Sequence, residues 1–161
     1  MSNAPWWKNT RGEWYFVVQL VLFGLILLAP LGPGQPAWPA AISLPARAVG
    51  LLLAVAGGAL GLAGLLGLGR NLSVLPHPKD DAELVQDGAY GLVRHPIYAG
   101  LIIGALGWSL LTNSLLALAL SVGLLVFFDI KSRREERQLL ARFPAYADYR
   151  RRVRKFFPFL Y

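Results

Sequence analysis

No cysteine occurs among the 161 residues, which excludes disulfides, thiolate metal sites and a cysteine nucleophile. The two histidines, His77 and His95, are too few for a histidine metal cluster. Charge is also scarce, at 16% of residues against 55% hydrophobic residues and a mean hydropathy of +0.47. A composition this apolar, rich in Leu, Ala and Gly, excludes an ordinary soluble domain and reads as a small integral membrane protein. The 17 glycines sit largely inside apolar runs, where membrane helices tolerate them.

Four membrane spans are expected, over 14–32, 46–69, 97–111 and 114–130. The first two lie near the roughly 20 residues that cross about 30 Å of hydrocarbon. The apolar tract 97–130 is on the order of 50 Å long as one helix, too long for one crossing, and Thr112 and Asn113 divide it into a hairpin. The basic residues agree with this count. Lys8 and Arg11 precede the first span, Arg70, Lys79 and Arg94 lie between the second and third, and ten Lys and Arg follow the fourth. The two other connections hold only Arg47, at an edge. Basic residues mark the cytoplasmic side, so both termini and the segment 70–95 are expected inside, with the membrane the inner one if the cell is bacterial. The net charge of +7 is then topological. The basic tail is expected against anionic headgroups and membrane lipids, not nucleic acid. Small residues near Ala37 and Ala40 also admit a cleaved leader, but cleavage would leave three spans and break the charge pattern. Trp6, Trp7, Trp14 and Tyr15 read as an interfacial belt. The expected fold is an all-α polytopic membrane bundle, one domain over 1–161, with a C-terminal cytoplasmic amphipathic helix. Oligomeric state is not legible.

Gly57, Gly61 and Gly64 recur at i, i+4, i+7, and Gly100, Gly104 and Gly107 repeat the spacing. Such stripes let helix backbones approach closely. Between them, Pro76 and Pro78 keep His77 in a loop, and Asp87-Gly88 signals a turn. Then comes LVRHPIYAG. Pro96 suits the first position of a helix, which makes His95 its cap residue. The unpaired amides of that helix start, with Arg94, form a candidate anion site. Tyr90 and Arg94 share a face if a helical turn precedes the cap, Tyr98 sits in the first turn after it, and Gly100 removes a side chain where a ligand or a helix presses close. The structural alternative has Arg94 snorkelling to a phosphate, Tyr98 in the aromatic belt and His95 merely capping.

In the tail, Leu139, Leu140, Phe143, Tyr146, Tyr149 and Val153 approach helical spacing with a break at Pro144, as in an amphipathic helix on the membrane surface. Glu135 and Glu136, placed among basic residues, either pair with arginine or receive a cationic ligand group.

The run NLSVLPHPKDDAELVQDGAYGLVRHPIYAG resembles the signature of integral membrane methyltransferases of the isoprenylcysteine carboxyl methyltransferase and phospholipid methyltransferase type. In that family a Leu-Val, a Gly-x-Tyr and an Arg-His-Pro-x-Tyr-x-Gly follow one another, matched here by Leu84, Val85, Gly88, Tyr90, Arg94, His95, Pro96, Tyr98 and Gly100. After a helical hairpin the family continues with an Arg-rich Glu-Glu-x-x-Leu, a Phe-Gly and two tyrosines three apart, matched by Arg133, Glu135, Glu136, Leu139, Phe143, Tyr146 and Tyr149. Pro144 stands where the family usually has glycine. The likeness spans roughly the C-terminal 90 residues, and the first two spans match it only in hydrophobicity.

The resemblance implies S-adenosylmethionine as methyl donor, bound by Tyr90, Arg94, His95, Tyr98, Gly100, Glu135 and Glu136, and a lipid or other amphiphilic acceptor entering from the bilayer. Arg133, or Arg134 in the adjacent register, is expected to orient an acceptor carboxylate, and Glu136 to serve in catalysis. A carboxylate acceptor needs no general base, whereas for an amine or thiol His95, Glu136 or water is the candidate. Two other functions remain open on sequence alone: a NADPH-dependent membrane reductase of the sterol-reductase type, and a non-enzymatic lipid-binding scaffold.

Overall fold

The computed structural model describes residues 13–33, 38–69, 83–158 and 160. Trp6, Trp7, Lys8, Arg11, His77 and Lys79 lie outside them. The helices are α1 (Glu13–Leu28), continued by a 3-10 turn (Ala29–Leu31), α2 (Ala40–Leu68), the single turn α3 (Ala89–Leu92), α4 (Pro96–Leu111), α5 (Leu115–Arg142) and α6 (Tyr146–Arg152). Among the described residues the β structure is one isolated parallel bridge, Val93 with Arg154. The architecture is the expected all-α bundle.

Three helical segments, Glu13–Leu31, α2 and α5, are long and apolar enough to cross a membrane, and α4 is a shorter apolar helix of 16 residues, about 24 Å long. Large apolar side chains point outward from them, among them Leu52 at 70% and Leu66 at 74% exposure. Such faces suit hydrocarbon, where every backbone polar group must be satisfied inside the helix.

The predicted hairpin of α4 and α5 turns at Thr112–Ser114. Asn113 takes the left-handed conformation at φ 51°, which Asn tolerates better than most residues. Ser114 caps α5 by accepting a hydrogen bond from the Ala117 amide at 3.2 Å.

The two glycine stripes meet each other. α2 and α4 run antiparallel, and a Cβ added at Gly57 would lie 2.5 Å from the Gly104 nitrogen. One added at Gly107 would lie 2.5 Å from the Ala54 nitrogen. Gly50 extends the seam to Leu111. Side chains are excluded along this contact, so the backbones themselves pack.

Two boundaries differ from expectation. α2 starts at Ala40, six residues before the predicted 46, and carries Pro45 within it; a proline forfeits one amide bond, and membrane helices accommodate that loss. The helix expected to end at 130 continues past it. α5 runs unbroken through Arg142, because the polar stretch that follows the apolar run is made of strong helix formers, Lys, Arg, Glu, Gln and Leu. The predicted tail helix therefore reduces to α6, beyond the break at Phe143 and Pro144. Buried Val93, Ala99, Ile102, Leu124, Phe128 and Phe156 form the core that ties α4 and α5 to the returning tail.

Candidate functional site

The site lies where α4 begins and α5 leaves its apolar run. Gly88, at φ 60°, turns the chain into α3. The chain then leaves the helical region, with Val93 extended at φ −143° and His95 at φ −127° and ψ 65°, as a residue before a proline is pushed out of that region. Its amides are paired by the tail: Arg94 N donates to Arg154 O at 2.8 Å, and His95 N to Lys155 O at 3.1 Å. The tail can return because the helix breaks at Phe143 and Pro144, and α6 folds back with Tyr146 and Tyr149 buried.

Glu136 is the centre of the polar cluster, with 3% of its surface exposed. Its Oε1 accepts from Arg94 Nε at 3.0 Å and lies 3.2 Å from His95 Nε2. Its Oε2 is 3.4 Å from Arg150 Nε. Arg94 also donates through Nη1 to the carbonyls of Val153 and Arg150, fastening the tail to the same pair. Glu135 forms a second node. It accepts a short hydrogen bond from the Tyr98 hydroxyl, and its Oε2 lies 3.7 Å from His95 Nδ1. Tyr98 is sandwiched, stacking on His95 at 5.5 Å between centroids and on Phe128 at 4.4 Å. His95 thus uses both ring nitrogens and its face, and makes no side-chain cap bond to α4.

Tyr90 stands at the edge of this cluster. Its carbonyl accepts from Tyr149 Oη at 2.6 Å, and its ring lies where a side chain at Gly67 would touch it. Burial pushes the phenols of Tyr90, Tyr146 and Tyr149 above their ordinary range, because a phenolate loses its hydration there. For Tyr90 the neighbouring Tyr149 and Glu135 add to the rise, whereas Arg94 opposes it at Tyr146 and Tyr149.

A polar cavity of about 490 Å³ opens beside the cluster, with Arg94, Arg133, Arg137, Arg150, Arg154 and Lys155 around Glu136. Arg133, 64% exposed, reaches it while pairing with Asp129 at 2.7 Å. Arg134 turns the other way and lies over the Tyr15 ring at 5.6 Å. Asp129 also holds Lys155 at 2.6 Å. A second, apolar cavity of about 570 Å³ lies between α1, α2 and α4, floored by Gly57, Gly61, Gly100 and Gly104 and bounded by Trp108, whose indole donates to Ile26 O at 3.2 Å.

The structure therefore brings Arg94, His95, Tyr98, Glu135 and Glu136 together, sets Tyr90 beside them and leaves Arg133 at the rim. Gly100 needs a correction. A Cβ there would lie 2.5 Å from both Gly57 O and Gly61 N, so its missing side chain makes room for α2, not for a donor molecule. Asp129, Arg150 and Lys155 were missed. Asp129 offered a signal, a lone carboxylate within an apolar run; the tail cations were hidden among many.

Such a cluster of guanidinium, imidazole and carboxylate groups at one end of a helical membrane bundle defines a polytopic membrane protein with a polar site at its edge. The chain belongs to the phospholipid methyltransferase family, which matches residues 45–146. It is 32% identical over 152 residues to the cobalt-zinc-cadmium resistance protein CzcN of Cupriavidus metallidurans, covering 94% of this chain and 64% of that protein. It is 43% identical over 75 residues to a protein-S-isoprenylcysteine O-methyltransferase of Schizosaccharomyces pombe, covering 45% of this chain and 32% of that one. Among solved structures it resembles the eukaryotic intramembrane Ras methyltransferase ICMT (isoprenylcysteine carboxyl methyltransferase), with a TM-score of 0.64 and 25% identity over 99% of this chain and 55% of that one. The chain thus spans less than two thirds of the length of these relatives.

Proposed function

We propose that the chain transfers a methyl group from S-adenosylmethionine to an amphiphilic acceptor at the cytoplasmic face of the membrane. The observation that carries this reading is the buried Arg94–Glu136–His95 cluster opening onto the polar cavity. About 490 Å³ falls within the usual range of small-molecule sites, and the groups present fit a zwitterionic donor. Glu136 retains acceptor capacity, since among the described residues Oε2 meets Arg150 alone, at 3.4 Å, and a carboxylate has about four lone-pair sites. Tyr146 Oη is buried with no hydrogen-bond partner among the described residues, and a ligand that reaches it relieves the cost of that isolation.

Bound here, S-adenosylmethionine supplies a methyl group activated by a sulfonium. Arg94 and His95 receive the donor's carboxylate, Glu135 and Glu136 its ammonium, and the face of Tyr90 its sulfonium charge, while Tyr98, with both faces stacked, holds His95 and Glu135 in place. The stack of His95, Tyr98 and Phe128 keeps water from one side, so alignment and desolvation carry most of the rate. Arg133 orients the acceptor. The basic residues around Glu136 favour an anionic acceptor head, and the apolar cleft between α1, α2 and α4 favours a hydrocarbon tail.

The test incubates the detergent-purified protein with methyl-labelled S-adenosylmethionine and vesicles of bacterial lipid extract. Label in the organic phase that disappears in Glu136→Ala supports the reading; equal label with both proteins contradicts it.

A further inference from the structure

Resting on the donor site just proposed, we infer that Lys131 is a positioning residue of that site and that Gln19, on the first helix, holds it there. Between Phe16 and Leu28 of α1, Gln19 is the single polar side chain. An amide facing hydrocarbon loses its hydrogen bonds with water, so its position in an apolar helix asks for a partner. The partner is Lys131 of α5, 112 residues away, whose Nζ donates to Gln19 Oε1 at 2.8 Å.

Lys131 is itself buried, with 2% of its surface exposed, although it follows the apolar run of α5. Phe128, Lys131 and Glu135 stand at i, i+3 and i+7, on one face of that helix, and all three meet Tyr98. The Phe128 ring stacks on Tyr98, the Lys131 ammonium lies 5.0 Å from the Tyr98 centroid, and the Tyr98 hydroxyl donates to Glu135. A cation over the ring draws electron density from the phenol and strengthens its O–H as a donor. The same ammonium offsets the charge of Glu135 one helical turn along. Lys131 thus sets the Tyr98–Glu135 bond and, through the Tyr98–His95 stack, the orientation of His95. It reaches the donor through these groups, not by contact.

Gln19 gives α1 a role that its hydrophobicity does not reveal. Without the amide, the ammonium loses its anchor at the α1 side and swings toward a polar outlet. The first span then acts as a brace for the site as well as a membrane anchor.

The experiment measures binding of S-adenosylhomocysteine by calorimetry in detergent, well below the melting temperature, with melting recorded alongside. Lys131→Met is expected to weaken binding about tenfold or more, and Gln19→Leu about threefold. The double variant should bind no more weakly than Lys131→Met alone, because the amide acts through the lysine. In a Tyr98→Phe background, Lys131→Met should cost little further, and Lys131→Arg should recover part of the affinity. A purely structural pair would lower the melting temperature and leave affinity unchanged; that result, or fully additive losses in the two cycles, overturns the inference while leaving the donor reading in place. No binding by the unaltered protein overturns both.

Discussion

The α2–α4 seam and the cluster around Glu136 are built on opposite principles. In the seam, glycine stripes remove side chains, and the backbones of Gly50, Gly57, Gly64, Gly100 and Gly107 lie so close to the facing helix that a methyl group does not fit. In the cluster, long polar side chains from the start of α4, α5 and the tail converge on two carboxylates, Glu136 buried and Glu135 partly so. The seam holds by shape and transmits no charge; the cluster holds by charge and is open to a ligand on one side. A rigid seam fixes the start of α4, and a fixed α4 start lets Arg94 and His95 meet groups far along the chain. The two regions should consequently fail differently.

The largest effect is expected in the seam. Gly100→Leu forces a side chain against Gly57 O and Gly61 N, backbone atoms that cannot move alone, and should destabilise the fold by on the order of 4 kcal/mol. Thermal melting in detergent reads this; an unchanged melting temperature would mean that α2 and α4 pack otherwise. In the cluster, Glu136→Gln should weaken S-adenosylhomocysteine binding about a hundredfold, near 3 kcal/mol, and affect folding less than Gly100→Leu does. If melting collapses while binding by the surviving fold persists, the cluster is structural and the contrast fails.

Tyr149→Phe is smaller. It removes the bond to Tyr90 O and should cost about 1 to 2 kcal/mol. It also sharpens the electrostatic side of the contrast. Burial raises the Tyr149 phenol above its ordinary 10.0 in the folded protein, so above about pH 10 the unfolded chain releases a proton that the folded one keeps, and stability falls as pH rises. Melting followed from pH 8 to about 11 should decline less steeply in Tyr149→Phe than in the unaltered protein; parallel curves would show that Tyr149 does not contribute. The smallest effect belongs to Gly58→Ala. No atom lies within 4 Å of a Cβ added there, so stability should change by less than about 1 kcal/mol, in the stabilising direction. A large loss would mean that the glycines of α2 matter by number and not by face.

Much of this contrast is legible in the sequence. The i, i+4, i+7 stripes give the seam, and the Arg-His-Pro and Glu-Glu runs give the centre of the cluster. Gly100 stays open in the sequence, because one glycine serves equally well for a close helix or a close ligand, and the opposing backbone of α2 is what favours the helix. The end of α5 was misplaced because hydropathy drops after Ile130 while helix propensity does not. Asp129, Lys155 and Gln19 were missed because their partners lie 26 and 112 residues away, and no periodicity links them. Their shared signal is physical: each is a polar group in or beside an apolar run, where an unpaired one is costly.

On the proposed function, the Arg94–Glu136 cluster holds the methyl donor. Calorimetric titration of the purified protein with S-adenosylhomocysteine, with NADPH in parallel, tests it most directly. Saturable binding of the first, lost in Glu136→Gln, and no binding of the second is the predicted result. Binding of NADPH alone, or equal S-adenosylhomocysteine affinity with and without the Glu136 carboxylate, would contradict it.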